Sequence, residues 1–201
     1  ASKLTLSNSQ MFSNVSALTV SPYGSDSSTL MVGLENGYVL KVENANTNSP
    51  TWTNLTGGSF LGSVSDIEFG ANENEIFVTF HNYAVDNVFY SSDGGQNWES
   101  KEGDLPDLPV RCILQNPIVP NEVIIGTDLG VWYTKNFKDS SPNWKQGFNG
   151  MSDVRVTDMD MRDDYAVFAS TYGRGVFSSY FDSDVPMLRL SSDQSTIKID
   201  Q

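Results

Sequence analysis

The stretch Trp98-Glu-Ser-Lys-Glu-Gly-Asp-Leu-Pro-Asp-Leu-Pro-Val110 decides the fold, because its two end residues recur along the chain at a fixed distance. The same step of 12 residues separates Trp52 from Val64 and Trp144 from Val156. Both markers therefore repeat every 46 residues. A period of about 20–50 residues is typical of repeat folds, so the chain is expected to be an array of similar units.

Each repeat contains short runs that are rich in β-branched and aromatic residues, which is the composition of β-strands. The first run of each repeat begins at a recurring valine, and an additional one, Val15-Ser-Ala-Leu-Thr-Val20, begins at Val15. Turn sequences such as Glu35-Asn-Gly37 and Thr127-Asp-Leu-Gly130 separate the second run from the third. Four short strands per unit predict an all-β chain that consists of four β-propeller blade repeats of about 46 residues.

The period also places the blade boundaries within residues 1–181. Residues 1–11 are expected to end a preceding blade, because counting 12 residues back from Val15 reaches Lys3-Leu-Thr-Leu6. Blades are predicted at 12–57, 58–103 and 104–149, and an incomplete blade without a fourth strand at 150–181. This cut favours part of a larger ring over a four-blade ring closed on itself. Residues 182–201 are predicted to form a linker and to start an Ig-like domain.

Composition limits the partners that the chain can have. Its 25 acidic and 12 basic side chains give a net charge of −13, a field that repels phosphate backbones and anionic membranes. No apolar run approaches the length of about 18 residues that a membrane span needs. Nucleic acid and membrane insertion are therefore excluded, whereas neutral glycans, proteins and cations stay open. Cys112, the only cysteine, lies in a strand pattern and is predicted to be a buried apolar residue.

One turn carries a recognisable motif. The stretch Ser91-Ser-Asp-Gly-Gly-Gln-Asn-Trp98 contains an aspartate that can accept hydrogen bonds from the turn's own amides, followed by two glycines that tolerate positive φ. It resembles the Asp box of BNR-repeat propellers, a group that includes sialidases, xyloglucanase-type glycoside hydrolases and sortilin-like receptors. In that group the box is a structural turn on the face opposite the usual ligand site. The resemblance therefore assigns Ser91, Asp93, Gly95 and Trp98 a structural role, and implies a secreted or cell-surface protein.

Ligand candidates come from the loops that propellers generally use for binding, between the second and third strands and between blades. A sugar site needs a flat apolar ring to stack on, together with polar partners for hydroxyl groups. The alternative is that these aromatic side chains pack the loops onto neighbouring blades. The loop residues that meet the requirement, and are the candidate ligand-binding residues, are Phe60, His81, Tyr83, Phe148, Tyr172 and Arg174.

Acidic side chains at matching positions of two first strands are the candidates for catalysis. Asp66 and Glu68 in one blade correspond to Asp158 and Asp160 in another, and period-two alternation puts each pair on one side of its strand. Paired carboxylates could hydrolyse glycosides or bind calcium, the one candidate cofactor. The alternative is a solvated channel, or salt bridges to Arg111, Arg155 and Arg162.

The sequence supports three functions. We favour a non-catalytic module that binds a glycan or protein through its loop face, because no sialidase-like arginine cluster is present and His81, the only histidine, has no nucleophile motif beside it. The second is part of a xyloglucanase- or sialidase-like glycoside hydrolase, and the third is an architectural spacer in an adhesin. The remaining blades of the parent propeller, or a second chain, are expected as partners at the incomplete blade.

Overall fold

The computed structural model describes residues 5–24, 28–147, 150–151 and 153–181, and these residues form fifteen β-strands and no helix. The prediction of an all-β chain is confirmed. The first two sheets consist of β1 (Val15–Val20), β2 (Leu30–Leu34), β3 (Val39–Glu43) and β4 (Thr51–Asn54), and of β5 (Val64–Phe69), β6 (Ile76–Phe80), β7 (Val88–Ser91) and β8 (Glu99–Ser100). The other two consist of β9 (Val110–Gln115), β10 (Val123–Thr127), β11 (Gly130–Thr134) and β12 (Lys145–Gln146), and of β13 (Val156–Met161), β14 (Ala166–Thr171) and β15 (Gly175–Tyr180).

Each sheet is an antiparallel meander in which strands that follow one another along the chain pair in order. We number these sheets 1 to 4. In all four the pairing of the first strand with the second is interrupted at the same place, just after Val15, Val64, Val110 and Val156. A β-bulge of this kind twists the strand locally and re-aims the side chains that follow it.

The first strands pack against one another in the order β1, β5, β9 and β13, so the four sheets lie side by side in a propeller-like arc. No helix in the described residues is long and apolar enough to cross a bilayer. β1 and β13 lie at the two ends of this series and do not pack together as the neighbouring first strands do. The arc that the described residues form is therefore open.

Apolar side chains fill the spaces between successive sheets. The largest buried ones include Phe80 and Phe89 between sheets 1 and 2, and Phe77 and Phe137 between sheets 2 and 3. Cys112 is buried between sheets 3 and 4, as its strand pattern predicts, and it is a free thiol. Burial of this kind supplies the main driving force of folding.

Two of the three recurring indoles, those of Trp98 and Trp144, lie in the spaces between successive sheets. The Nε1–H of Trp98 donates to the carbonyl of Leu55 at 2.7 Å, and the Nε1–H of Trp144 donates to the carbonyl of Lys101 at 3.0 Å. Each indole thus bonds to the backbone just after the fourth strand of the preceding sheet. Trp52 packs instead on the outer side of sheet 1, in a cluster that also contains Leu6 and Met11.

The predicted terminal segments are described only in part. Thr5 and Leu6 are not in a strand, while Lys3 and Leu4 lie outside the described residues, so the expected fourth strand at Lys3–Leu6 stays a prediction. The linker and Ig-like segment at 182–201 also lie outside them.

Candidate functional site

The hairpins between second and third strands lie at one end of the sheets, which we call the loop face. Three of them are held there in the same way. The backbone N–H of Glu35, Asp128 and Tyr172 each donates to the carbonyl of the residue before the first strand of its own sheet, at 3.0, 3.3 and 2.9 Å. These residues directly follow their second strands, and His81 holds the same position in sheet 2. Equivalent turns therefore present different side chains around one end of the arc.

A groove of about 610 Å³ opens on this face across the hairpins of sheets 3 and 4. We call it the loop-face groove. It brings together three of the six candidates predicted from the sequence: Tyr83 from the β6–β7 loop, and Tyr172 and Arg174 from the β14–β15 turn. The remaining lining residues are Leu108, Asp128, Leu129, Asp153, Val154 and Arg155.

Two tyrosines present open ring faces at this groove. Tyr83 is 62% exposed and Tyr172 is 75% exposed. Tyr172 stands at the tip of the β14–β15 turn, where Gly173 and Gly175 adopt φ of 88° and 79°, values that side chains disfavour. The Thr171 hydroxyl donates to the Gly175 carbonyl at 2.7 Å and closes the turn. The ring is thus held out into solvent by a defined backbone.

Arginines gather at the same place although the chain as a whole is strongly acidic. One oxygen of Asp128, Oδ1, accepts a hydrogen bond from Arg111 Nε at 2.6 Å and forms an ion pair with Arg155 Nε at 3.1 Å. The Arg155 guanidinium also lies 5.7 Å from the centre of the Tyr172 ring. Arg174 forms no ion pair with any described residue. Arg155 and Arg174 therefore line the groove together with Asp128 and Asp153, so the groove presents both cationic donors and anionic acceptors.

These ion pairs correct one sequence interpretation. Salt bridges from Arg111, Arg155 and Arg162 to the acids of the first strands were one alternative, but Arg111 and Arg155 pair with Asp128 on the loop face, and Arg162 pairs with Asp164 in its own turn. Sequence reasoning missed Asp128. The signal was present, because Thr127-Asp-Leu-Gly130 and Thr171-Tyr-Gly-Arg-Gly175 are equivalent turns, and Asp128 therefore corresponds to Tyr172.

Phe60 is not a surface residue, which corrects its place among the ligand candidates. The segment before β5 crosses the face of sheet 2, so the ring packs 4.8 Å from that of Phe89 and 5.1 Å from those of Phe80 and Trp98. It is buried in the core between sheets 1 and 2. Phe148 lies outside the described residues.

His81 is half-buried and is not among the residues that line the groove. Burial and the nearby Arg111 charge lower its pKa, while Asp128 opposes the shift. Its Nδ1 has no hydrogen-bond partner among the described residues. A neutral imidazole is therefore expected at pH 7.

The four candidate carboxylates lie along β5 and β13, away from the loop-face groove. Asp66 Oδ1 accepts the N–H of Ile67 at 2.8 Å, and Oδ2 accepts the N–H of Ile113 at 3.0 Å, which ties β5 to β9. Burial raises the pKa of Asp66 to about 6, and these two hydrogen bonds limit the rise. Asp66 is thus a tie between sheets as well as a titratable group.

Glu68 is the most perturbed of these acids. Burial, followed by the charges of Asp66, Asp160 and Asp158, raises its pKa to about 8. The carboxylates of sheets 2 and 4 therefore sense one another although they belong to different strands. No three His, Cys, Asp or Glu side chains of the described ranges are grouped closely enough to hold a metal ion.

The β7–β8 turn lies at the opposite end of its sheet from the loop face, because consecutive turns of a meander alternate ends. Asp93 Oδ1 accepts the N–H of Asn97 at 2.9 Å and the Ser91 hydroxyl at 2.8 Å, and Oδ2 accepts the Asn97 amide at 2.7 Å. These bonds lower the pKa of Asp93 to about 2. A Cβ at Gly95 would lie 2.8 Å from Leu55 Cδ1, so the turn packs closely on sheet 1.

We expect Asp93→Ala to lower the melting temperature at pH 7 without changing ligand binding, because the turn loses three accepted hydrogen bonds far from the groove. The effect should fade as the pH falls towards 2, since a lowered pKa stabilises the fold only while the carboxylate is ionised. Asp163→Ala, which removes another exposed acid, is the control for thermal melting. Unchanged melting together with lost binding would reverse the assignment.

No protein-family model matches the chain, and no curated protein matches it. Solved structures do share its fold. An ancestral GH74 enzyme superposes with a TM-score of 0.62 at 16% identity, over 83% of this chain and 23% of the enzyme. A GH74 enzyme from Niastella koreensis gives 0.59 at 14% identity, over 82% and 28%. Chaetomium thermophilum Raptor gives 0.63 at 13% identity, over 92% and 17%.

At such low identities the similarity concerns the fold alone. The chain spans less than a third of the length of each of these proteins. Two of them are glycoside hydrolases, which agrees with a propeller-like architecture that can host different activities.

Proposed function

We propose that the chain is a non-catalytic propeller module that binds a glycan through the loop-face groove. The observation that carries the proposal is the meeting of Tyr83, from the β6–β7 loop, with Tyr172 and Arg174, from the β14–β15 turn, at one opening. Exposed tyrosine rings offer faces for stacking on a sugar, and arginine offers donors for its hydroxyl or carboxylate oxygens. Such sites combine apolar surface with a few placed polar groups.

The position of the groove agrees with this role. Tyr172 and Arg174 lie on a turn that is anchored by hydrogen bonds, so binding to them would require little ordering of this part of the protein. A protein ligand would need a larger complementary surface than one groove supplies, so a glycan fits better. A secreted or cell-surface location belongs to the same proposal, because glycans are abundant there.

We expect the isolated chain to bind members of an array of neutral and acidic oligosaccharides. Tyr172→Ala should weaken binding of the best-bound oligosaccharide by about 10- to 100-fold in calorimetric titrations, because one stacking surface is removed. Arg174→Ala should weaken an acidic ligand more than a neutral one. Tyr180→Ala is the matched control, since this tyrosine is 58% exposed on the same sheet but does not line the groove.

Two results would contradict the proposal: no binding to any oligosaccharide, or binding that Tyr172→Ala and Arg174→Ala leave unchanged. The second candidate is a glycoside hydrolase, and the observation that favours it is the raised pKa of Glu68 beside the acids of β13. A protonated acid near ionised carboxylates is the pairing that glycoside hydrolysis needs. Turnover of xyloglucan or a sialoside by the chain, lost in Asp66→Asn and Asp158→Asn, would favour the enzyme.

A further inference from the structure

The first strand of sheet 1 leaves uncovered the positions that the other sheets bury. Val15 is 46% exposed and Leu18 is 62% exposed. Their equivalents in β5 and β9 are buried, and so are those in β13. The preceding sheet covers those strands. β1 therefore has the apolar surface of a contact between sheets, but none of the described sheets precedes it. Exposed apolar surface of this kind marks an interaction site.

Contacts between successive sheets are of two kinds. Sheets 1 and 2, and likewise sheets 3 and 4, meet through small residues in the earlier sheet. A Cβ at Gly33 would lie 2.5 Å from Val64 Cγ1, and a Cβ at Gly126 would lie 2.6 Å from Val156 Cγ1. Any larger residue at either glycine would push the next sheet away. These contacts are therefore close and apolar.

At the corresponding positions of their first strands, sheets 2 and 3 meet through polar groups, beside the apolar cluster that fills the rest of the space between them. The Ser65 hydroxyl donates to the Val110 carbonyl at 2.7 Å, and Asp66 Oδ2 accepts the Ile113 N–H at 3.0 Å. These two bonds join β5 to β9. The two kinds of contact thus alternate along the arc, and in the polar kind the side chains of β5 bond to backbone groups of β9.

Sheet 4 carries the polar kind, and none of the described sheets follows it. The Thr157 hydroxyl lies 2.7 Å from that of Ser170, as Ser65 lies 2.8 Å from Thr79. Asp158 Oδ1 accepts the N–H of Met159 at 2.9 Å, as Asp66 Oδ1 accepts that of Ile67. Asp158 Oδ2 receives no hydrogen bond from any described residue. This face of sheet 4 is therefore arranged like that of sheet 2, but no N–H of the described residues binds Asp158 Oδ2 as that of Ile113 binds Asp66 Oδ2.

Sheet 1 resembles sheet 3, whose first strand bonds to Ser65 and Asp66 of sheet 2. Ala17 pairs with Gly33 in sheet 1 as Cys112 pairs with Gly126 in sheet 3. Leu18 then corresponds to Ile113, whose N–H binds Asp66. If the alternation continues, the sheet that packs on sheet 4 has a first strand like β9. β1 is such a strand, and its contact face is exposed.

We propose that the outer face of β13 binds β1 of a second copy of this chain, head to tail. Asp158 Oδ2 accepts the N–H of Leu18 of that copy, and the Thr157 hydroxyl donates to the carbonyl of its Val15. Within the described residues β1 and β13 lie at opposite ends of the arc, so the proposed contact joins two copies of the chain. Val15–Val20 contains no charged residue, so it adds none beside the acids of β13.

Each copy then supplies one face with polar side chains, on β13, and one face with free backbone groups, on β1. Two copies can therefore pair both kinds of face in a closed ring. The test measures the mass of the 201-residue chain by light scattering after size exclusion, over a concentration series. We expect twice the mass of one chain. Leu18→Asp should raise the dissociation constant by about a hundredfold or more, because it places a charge at the centre of the contact.

Asp158→Asn tests the polar bond, because an amide leaves no second oxygen to accept the Leu18 N–H. Its control is Asp163→Asn, which makes the same change of charge at an exposed acid with no hydrogen bond to the described residues. Leu61→Asp is the control for Leu18→Asp, since Leu61 is 59% exposed and lies outside the contact. Both controls should keep the assembly, and circular dichroism should show all four variants folded.

A monomeric wild-type chain would overturn the proposal, whether it closes on itself or awaits a different partner. An assembly that persists in both Leu18→Asp and Asp158→Asn would also overturn it, because the contact would then lie elsewhere. Assembly lost in these two variants and retained in both controls is the result that the contact between β13 and β1 requires.

Discussion

Trp144→Ala is expected to lower the free energy of unfolding by about 3–5 kcal/mol, which is the cost of removing a large buried aromatic side chain. The indole is buried between sheets 2 and 3, with its centre 6.3 Å from that of the Phe137 ring. Its Nε1–H also satisfies the buried carbonyl of Lys101, and the substitution leaves that oxygen without this donor. Urea unfolding followed by circular dichroism measures the difference.

Two variants separate the causes. Trp144→Phe keeps most of the apolar volume and loses the hydrogen bond, so it should cost about 1–3 kcal/mol. Trp132→Ala removes an indole that is only partly buried and bonds to Leu129 within its own sheet, so its cost should be smaller than that of Trp144→Ala. Equal losses in Trp144→Ala and Trp132→Ala would show that the contact between sheets does not stabilise the fold.

Glu68→Gln is expected to stabilise the protein by about 2–4 kcal/mol at pH 8 and to have little effect near pH 4. The physical reason is that burial and neighbouring acids raise the pKa of Glu68 from 4.5 to about 8 in the folded chain. Between these values the unfolded carboxyl is ionised while the folded one holds its proton. Unfolding therefore releases a proton, and stability falls as the pH rises through this window.

Glutamine resembles the protonated acid in shape and does not titrate, so the variant should lose this fall in stability. Asp66, whose pKa is raised to about 6, should still contribute a slope between about pH 4 and pH 6. Thermal melts from pH 4 to pH 8 measure both slopes, and Asp163→Asn controls for the change in net charge. A variant whose stability varies with pH as that of the wild type does would contradict the assignment.

The strands could be predicted because the evidence for them is local. A β-strand needs a short run of β-branched or aromatic residues, and a tight turn needs glycine or asparagine, so the runs that begin at Val64, Val110 and Val156 indicate their own structure. The burial of Cys112 followed from the same pattern. Phe60 did not, because the sequence does not say that the segment before β5 crosses the face of sheet 2.

The sequence by itself therefore determined the all-β class, the order of the strands and three residues of the groove. Only the tertiary structure decided that Tyr83 meets the turn that carries Tyr172 and Arg174. The same is true of Asp128, which pairs with Arg111 and Arg155 beside them. These contacts join turns far apart in the chain, and their distances depend on how one sheet packs against the next. That packing is set by buried pairs such as Gly126 and Val156, whose contact no local pattern records.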